Sequence, residues 1–186
     1  EGDVLTDIAT RATDTVPSLA TWQSRLHVAM LRDTPPTDVH TLFQRAVETC
    51  QTADQDQLRS AWLRWCFMTQ GASGVATLAE SMLSRPLSRT SQAAVLSATL
   101  DLLTPTPSSL PLDALRSYYE RLVDAVGDTS VDVWRRWVEA ERAHGHWKRA
   151  DVVYRRAIAT LVHTPPHLTY PHTCTHTLTH SHILHT

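Results

Sequence analysis

Five short segments recur along this chain at nearly constant intervals: Ala9-x-Arg11-Ala12, Phe43-x-Arg45-Ala46, Leu83-x-Arg85-Pro86, Tyr119-x-Arg121-Leu122 and Tyr154-x-Arg156-Ala157. Their first residues lie 34, 40, 36 and 35 positions apart. Trp22 and Trp62 keep the same beat at 40, and Trp62 to Trp134 is 72, two periods. A repeat of this length constrains the fold strongly, because one unit cannot bury its own apolar face and must stack on its neighbours. Apolar residues fall at helical spacing throughout, and strand alternation is absent from the pattern. The expected fold is all-α: a right-handed α-solenoid of antiparallel helix pairs, about four repeats long, over residues 1–162. The chain opens partway into a repeat and reads as a piece of a longer array.

The best-formed unit runs Trp134-x2-Trp137-x3-Glu141-x3-Gly145-x4-Ala150-x3-Tyr154-x-Arg156-Ala157. Trp134, Trp137 and Glu141 fall on one stripe of a first helix. Ala150, Val153, Tyr154, Ala157 and Leu161 form the facing stripe of a second. Large indoles on one helix need small partners on the other, which Ala150 and Ala157 supply. Gly145 provides the left-handed conformation that ends the first helix. Glu141, a carboxylate on an apolar stripe, must be paired, because an unpaired buried charge is costly. The expected partner is Tyr154 or Arg156 on the return helix.

Nine helices are expected before residue 161. Pro17 closes the first; Trp22, Leu26, Ala29 and Met30 mark the second. Pro35-Pro36 break the pattern, and Asp38 is expected to cap the next helix, which carries Phe43, Arg45 and Ala46. Trp62 and Trp65 line one face before a turn at Gly71 and Gly74, and Pro86 stops the return helix. Residues 89–103 are helical in pattern but lack the aromatic pair. Pro111 suits a first helical turn, Gly127 is expected as a left-handed cap, and Thr129-x-x-Asp132 resembles a capping box.

Composition narrows the function. The net charge is −2, which gives no global basic field for nucleic acid. The best unit is nevertheless locally basic, and Arg135, Arg136 and Arg149 are the candidate RNA or partner contacts. Cys50, Cys66 and Cys174 fit no disulfide framework, which favours a reducing intracellular compartment. No signal peptide or membrane-length apolar run is present. No phosphate loop, nucleophile motif or metal motif occurs, so neither an enzyme nor a cofactor is expected; Ser88 and Ser91 beside Arg85 and Arg89 make no triad. Residues 163–186 hold seven of the eleven histidines and seven threonines. That composition is what a translated cytosine-adenine repeat gives, and the segment is expected to be a low-complexity, disordered tail or a gene-model artefact. It lacks the fixed ligand spacing of a structural zinc site.

The pattern Trp-x2-Trp-x3-Glu…Gly…Ala-x3-Tyr-x-Arg-Ala resembles the HAT (half-a-TPR) repeat, a helix-pair unit found chiefly in RNA-processing assemblies. Thr21-Trp22-Gln23-Ser24-Arg25-Leu26, Ser84-Arg85-Pro86-Leu87-Ser88, and Arg116-Ser117-Tyr118-Tyr119-Glu120-Arg121 followed by Asp132-Val133-Trp134 resemble the C-terminal region of the U3 small nucleolar RNA-associated protein 6 family. The unit lacking aromatics and the His/Thr tail depart from that pattern. The resemblance implies a non-enzymatic scaffold of the small-subunit processome, in its UTP-B subcomplex. Its partners would be other processome proteins and the U3 snoRNP with pre-rRNA, for 18S rRNA maturation in the nucleolus of the nucleus. The residues it carries over are structural: Trp134, Trp137, Glu141, Gly145, Ala150, Tyr154, Arg156 and Ala157. The alternative is a HAT scaffold in pre-mRNA splicing or mRNA 3′-end cleavage.

Overall fold

The computed structural model describes residues 2–105 and 111–163. Every regular element among them is helical: α1 (Gly2–Thr15), α2 (Leu19–Leu31), α3 (Pro36–Thr49), α4 (Thr52–Leu83), α5 (Arg89–Leu103), α6 (Leu112–Val126), α7 (Val131–Ala143) and α8 (Trp147–His163). The His/Thr-rich stretch lies outside the described residues apart from His163, which ends α8. Each helix packs against the next one in sequence.

Among the described residues eight helices stand where nine were expected, because the fourth and fifth are the two arms of α4. Gly71 separates them with φ 69° and ψ −162°, a conformation that a residue with a Cβ adopts only under strain. The chain folds back there. Arg59 and Trp62 of the first arm line the same crevice as Leu78 and Met82 of the second, so the arms run antiparallel. Gly74, expected to share the turn, is instead helical; a Cβ there would meet Gln70 Cβ at 2.5 Å.

Several expected caps differ. Pro35, not Asp38, is the N-cap of α3, and Asp38 sits in the first turn, where its charge still favours the helix N-terminus. Ser130 precedes α7 without a side-chain cap bond; Thr129 Oγ1 donates backward to Val126 O at 3.2 Å. The box belongs to α2, where Ser18 and Thr21 satisfy each other's backbone N–H groups. Gly127 has φ −66°, so it is not a left-handed cap. Its lack of a side chain serves packing, since a Cβ would stand 2.6 Å from Val123 O. Gly145 does adopt the left-handed conformation, with φ 77°.

Two apolar clusters hold the helices together. One gathers Trp22, Leu26, Val39, Phe43, Ala46 and Leu58 from the first half of the chain. The other spans α4 to α8 and contains Leu96, Leu100, Tyr119, Leu122, Trp134 and Trp137. Trp62 and Trp65 pack against both. In α5 the missing aromatics are replaced by Val95, Leu96, Leu100 and Leu103, all fully buried, and Thr99 satisfies its hydroxyl on Val95 O at 2.8 Å.

Candidate functional site

Two of the recurring segments, through Phe43 and Tyr119, meet the tryptophans of the helix that follows, and that contact is where motif residues converge. Phe43, the first residue of its segment, stacks on Trp62 with centroids 5.7 Å apart and planes 4° apart; Trp65 closes in at 5.9 Å. Tyr119 stacks on Trp137 at 5.9 Å and 5°, and Trp137 lies 6.1 Å from Trp134. In both cases an aromatic of one unit is covered by the tryptophan-bearing helix that follows it. Offset aromatic pairs at such distances contribute about 0.5–1.5 kcal/mol beyond the area they bury. Ala46, Ala150 and Ala157 are buried in the same two clusters as these rings, and Trp22 is buried in the first cluster with Arg25 Cζ 5.3 Å from the centre of its ring.

The arginines of the segments form a second relationship, legible in the sequence only as recurrence. Arg85 approaches Glu48 at 3.9 Å, Arg121 reaches Glu80 at 2.8 Å, and Arg156 pairs with Glu120 and, at 3.7 Å, with Asp124. Each reaches a carboxylate on the closing helix of the unit before it. Such half-exposed pairs are each worth little, about 0–1 kcal/mol, so they set register more than strength. Arg45 lies on the exposed side of α3. Arg156 also places its guanidinium 5.6 Å from the centre of the Trp134 ring.

Glu141 is buried at 1% exposure, and its partner is neither Tyr154 nor Arg156. Arg116 of α6 donates to it through Nε and Nη2, both at 2.8 Å. Trp137 Nε1 adds a bond at 3.3 Å, and Arg149 stands 3.7 Å away. Burial pushes the carboxyl pKa up, but the Arg116 bonds, Trp137 and Arg149 outweigh it and hold the group below its ordinary value. The same pair raises the Arg116 guanidinium above its ordinary range. The expected facing stripe also needs correction, since Tyr154 is 56% exposed.

The basic candidates are committed within the chain. Arg136 bridges to Asp101 and Ser97 of α5, Arg149 faces Glu141, and exposed Arg135 pairs with Asp132 at 2.6 Å. Ser88 caps α5, Ser91 bonds to Asp56 at 3.1 Å, and Arg89 donates to the last carbonyls of α6, among them Ala125 O. These groups satisfy backbone and side-chain polarity at helix ends. Among the described residues no three histidine, cysteine or acidic side chains cluster to hold a metal, and no helix is long and apolar enough to cross a membrane.

Sequence reasoning missed Glu48, Glu80, Glu120 and the role of Arg116. The acids fall five residues after Phe43, three before Leu83 and one after Tyr119, so no fixed register marks them. What the assembled surface offers is paired charge along consecutive helices. No family model matches the chain, and no curated protein is similar enough to match it.

Proposed function

We propose that this chain is a HAT-type scaffold, a right-handed α-solenoid of about four repeats, acting in the small-subunit processome in association with the U3 snoRNP and pre-rRNA. The observation that carries the repeat reading is the covering of two closing aromatics, Phe43 and Tyr119, by tryptophans of the helix that follows. Two such joints with near-parallel rings support a stacked array, Phe43 lying on the first tryptophan of its pair and Tyr119 on the second. The assignment to the processome rests on the residues that resemble the U3 small nucleolar RNA-associated protein 6 family, of which Tyr118-Tyr119-Glu120-Arg121 is the most specific. Partners are engaged chiefly through protein surfaces, because Arg136 and Arg149 are occupied by Asp101 and Glu141.

Purification of the protein tagged at its own locus tests this. Co-enrichment of U3 RNA and processome proteins supports the reading. Recovery of splicing or 3′-end cleavage factors in their place replaces the processome with another HAT-containing machine.

A further inference from the structure

His40 of α3 is held at both ring nitrogens by the first arm of α4. Trp62 Nε1 donates to its Nδ1 at 2.8 Å, and the Gln70 amide nitrogen stands 3.1 Å from its Nε2. Both indoles of that arm meet the imidazole in T-shaped contacts, Trp62 at 5.5 Å and Trp65 at 5.0 Å between centroids. An indole nitrogen can only donate. Nδ1 must therefore present a lone pair, which makes the ring neutral with its one proton on Nε2. Gln70 accepts from Nε2 by turning its carboxamide oxygen inward, a freedom the indole does not have.

The position of this bond gives it reach. Trp62 and Trp65 pack against both apolar clusters, and Phe43, one turn along α3 from His40, stacks on Trp62. Gln70 directly precedes Gly71, where α4 folds back with φ 69°. His40 thus ties α3 to the middle of the arm and to the edge of its turn.

A proton on Nδ1 would set two N–H donors facing each other across 2.8 Å, and the indole would lose its acceptor. Nothing nearby favours the cation. Burial holds the His40 pKa below the ordinary histidine value, and Asp38 and Arg45 of α3, Arg32 of α2, and Arg59, Arg64 and Cys66 of α4 add nothing to that shift.

We propose that His40 is a proton-operated tie between α3 and α4, closed while the imidazole is neutral and open once Nδ1 is protonated. Opening frees the indole on which both clusters lean and loosens α1–α3 from the helices that follow. With the folded pKa lowered, the tie is complete above the ordinary histidine value and is lost as the pH falls through the folded value.

Nuclear magnetic resonance of the whole chain across mildly acidic pH tests this. The His40 ring protons should titrate below the ordinary histidine value, and the Trp62 indole N–H signal should shift with the same midpoint. Amide hydrogen exchange should show α1–α3 losing protection through that transition while α5–α8 keep theirs. His40→Gln retains a carboxamide oxygen for the indole and has no proton to gain, so its Trp62 signal and exchange pattern should stay constant over that range. A His40 midpoint at or above the ordinary value overturns the proposal, and so does a Trp62 signal that stays still while His40 titrates. Both are read from the wild type alone. An equal loss of protection in His40→Gln also overturns it, since the acid response would then come from other groups.

Discussion

Arg116 and Glu141 are joined by two N–H···O bonds of 2.8 Å across 25 residues of sequence, from one helix pair to the next. The geometry is the two-point match between a planar guanidinium and a carboxylate. Glu141 lies deep among indoles, so the pair fixes how α7 sits on α6. Its value shows when one partner is removed, since that leaves a charge in an apolar site.

Arg116→Met should therefore destabilise the chain by roughly 3–5 kcal/mol. Adding Glu141→Leu should recover much of that loss, because an apolar pair of similar volume needs no charge compensation. Urea unfolding of the four members of the cycle checks this. Equal and additive losses from the two substitutions would mean that the residues act independently.

The same bond makes part of the stability dependent on pH. The folded pKa of Glu141 is lowered, so its contribution is complete above the ordinary carboxylate value and disappears as the pH falls through the folded value. Urea midpoints measured down that acidic range should decline more steeply for the wild type than for the Arg116→Met/Glu141→Leu chain. Parallel curves would remove Glu141 from the acid response.

Trp137 and Tyr154 belong to the same motif, yet their truncation should differ widely. Trp137→Ala removes a buried indole that stacks on both Tyr119 and Trp134, and large aromatic deletions of this kind cost about 3–5 kcal/mol. Tyr154→Ala removes an exposed ring, and exposed substitutions away from special features stay within about 0.5 kcal/mol. Thermal unfolding at a concentration low enough to keep the chain dispersed distinguishes them.

Glycine replacements separate two physical reasons for the same residue. Gly145→Ala meets no atom within 4 Å, so its penalty is conformational, about 1–2 kcal/mol for a left-handed residue with a Cβ. Gly127→Ala has an ordinary φ but drives its methyl onto Val123 O. It should shift the α6–α7 joint and disturb the bond from Trp134 Nε1 to Gly127 O, 2.8 Å long. Near-ultraviolet circular dichroism should change for Gly127→Ala and hardly change for Gly145→Ala.

At alkaline pH the buried phenols resist ionisation. Burial, reinforced by nearby Glu80, pushes Tyr118 up to about 12. The raised folded pKa means that this contribution is complete below the ordinary tyrosine value and is lost as the pH rises through about 12. Ultraviolet titration should show a late phenolate step that Tyr118→Phe removes; a Tyr118→Phe curve identical to the wild type would contradict the assignment.

Recurrence and helical spacing were enough to read the all-helical class, the run of helices and the burial of Trp134 and Trp137, because these follow from local periodicity. The positive φ of Gly145 was legible for the same reason: a helix end followed by glycine is a local event. Caps were less legible. Asp38 and Thr129 are good capping residues by type, but the chain enters α3 through Pro35 and α7 through Ser130, so their side chains are not placed to cap. The arginine pairs were visible only as a spacing, since the acids they meet stand at a different offset in every unit.

The sequence by itself determined that Trp134, Trp137 and Glu141 share a buried stripe and that Glu141 had to be paired. Only the tertiary structure decided that its partner is Arg116 of the preceding pair, and that Tyr154 faces outward while Tyr119 is covered at 2% exposure. The physical reason is that helical period fixes direction around one axis. A long side chain's partner depends on how far neighbouring axes are rotated and offset, and packing of the indoles sets those.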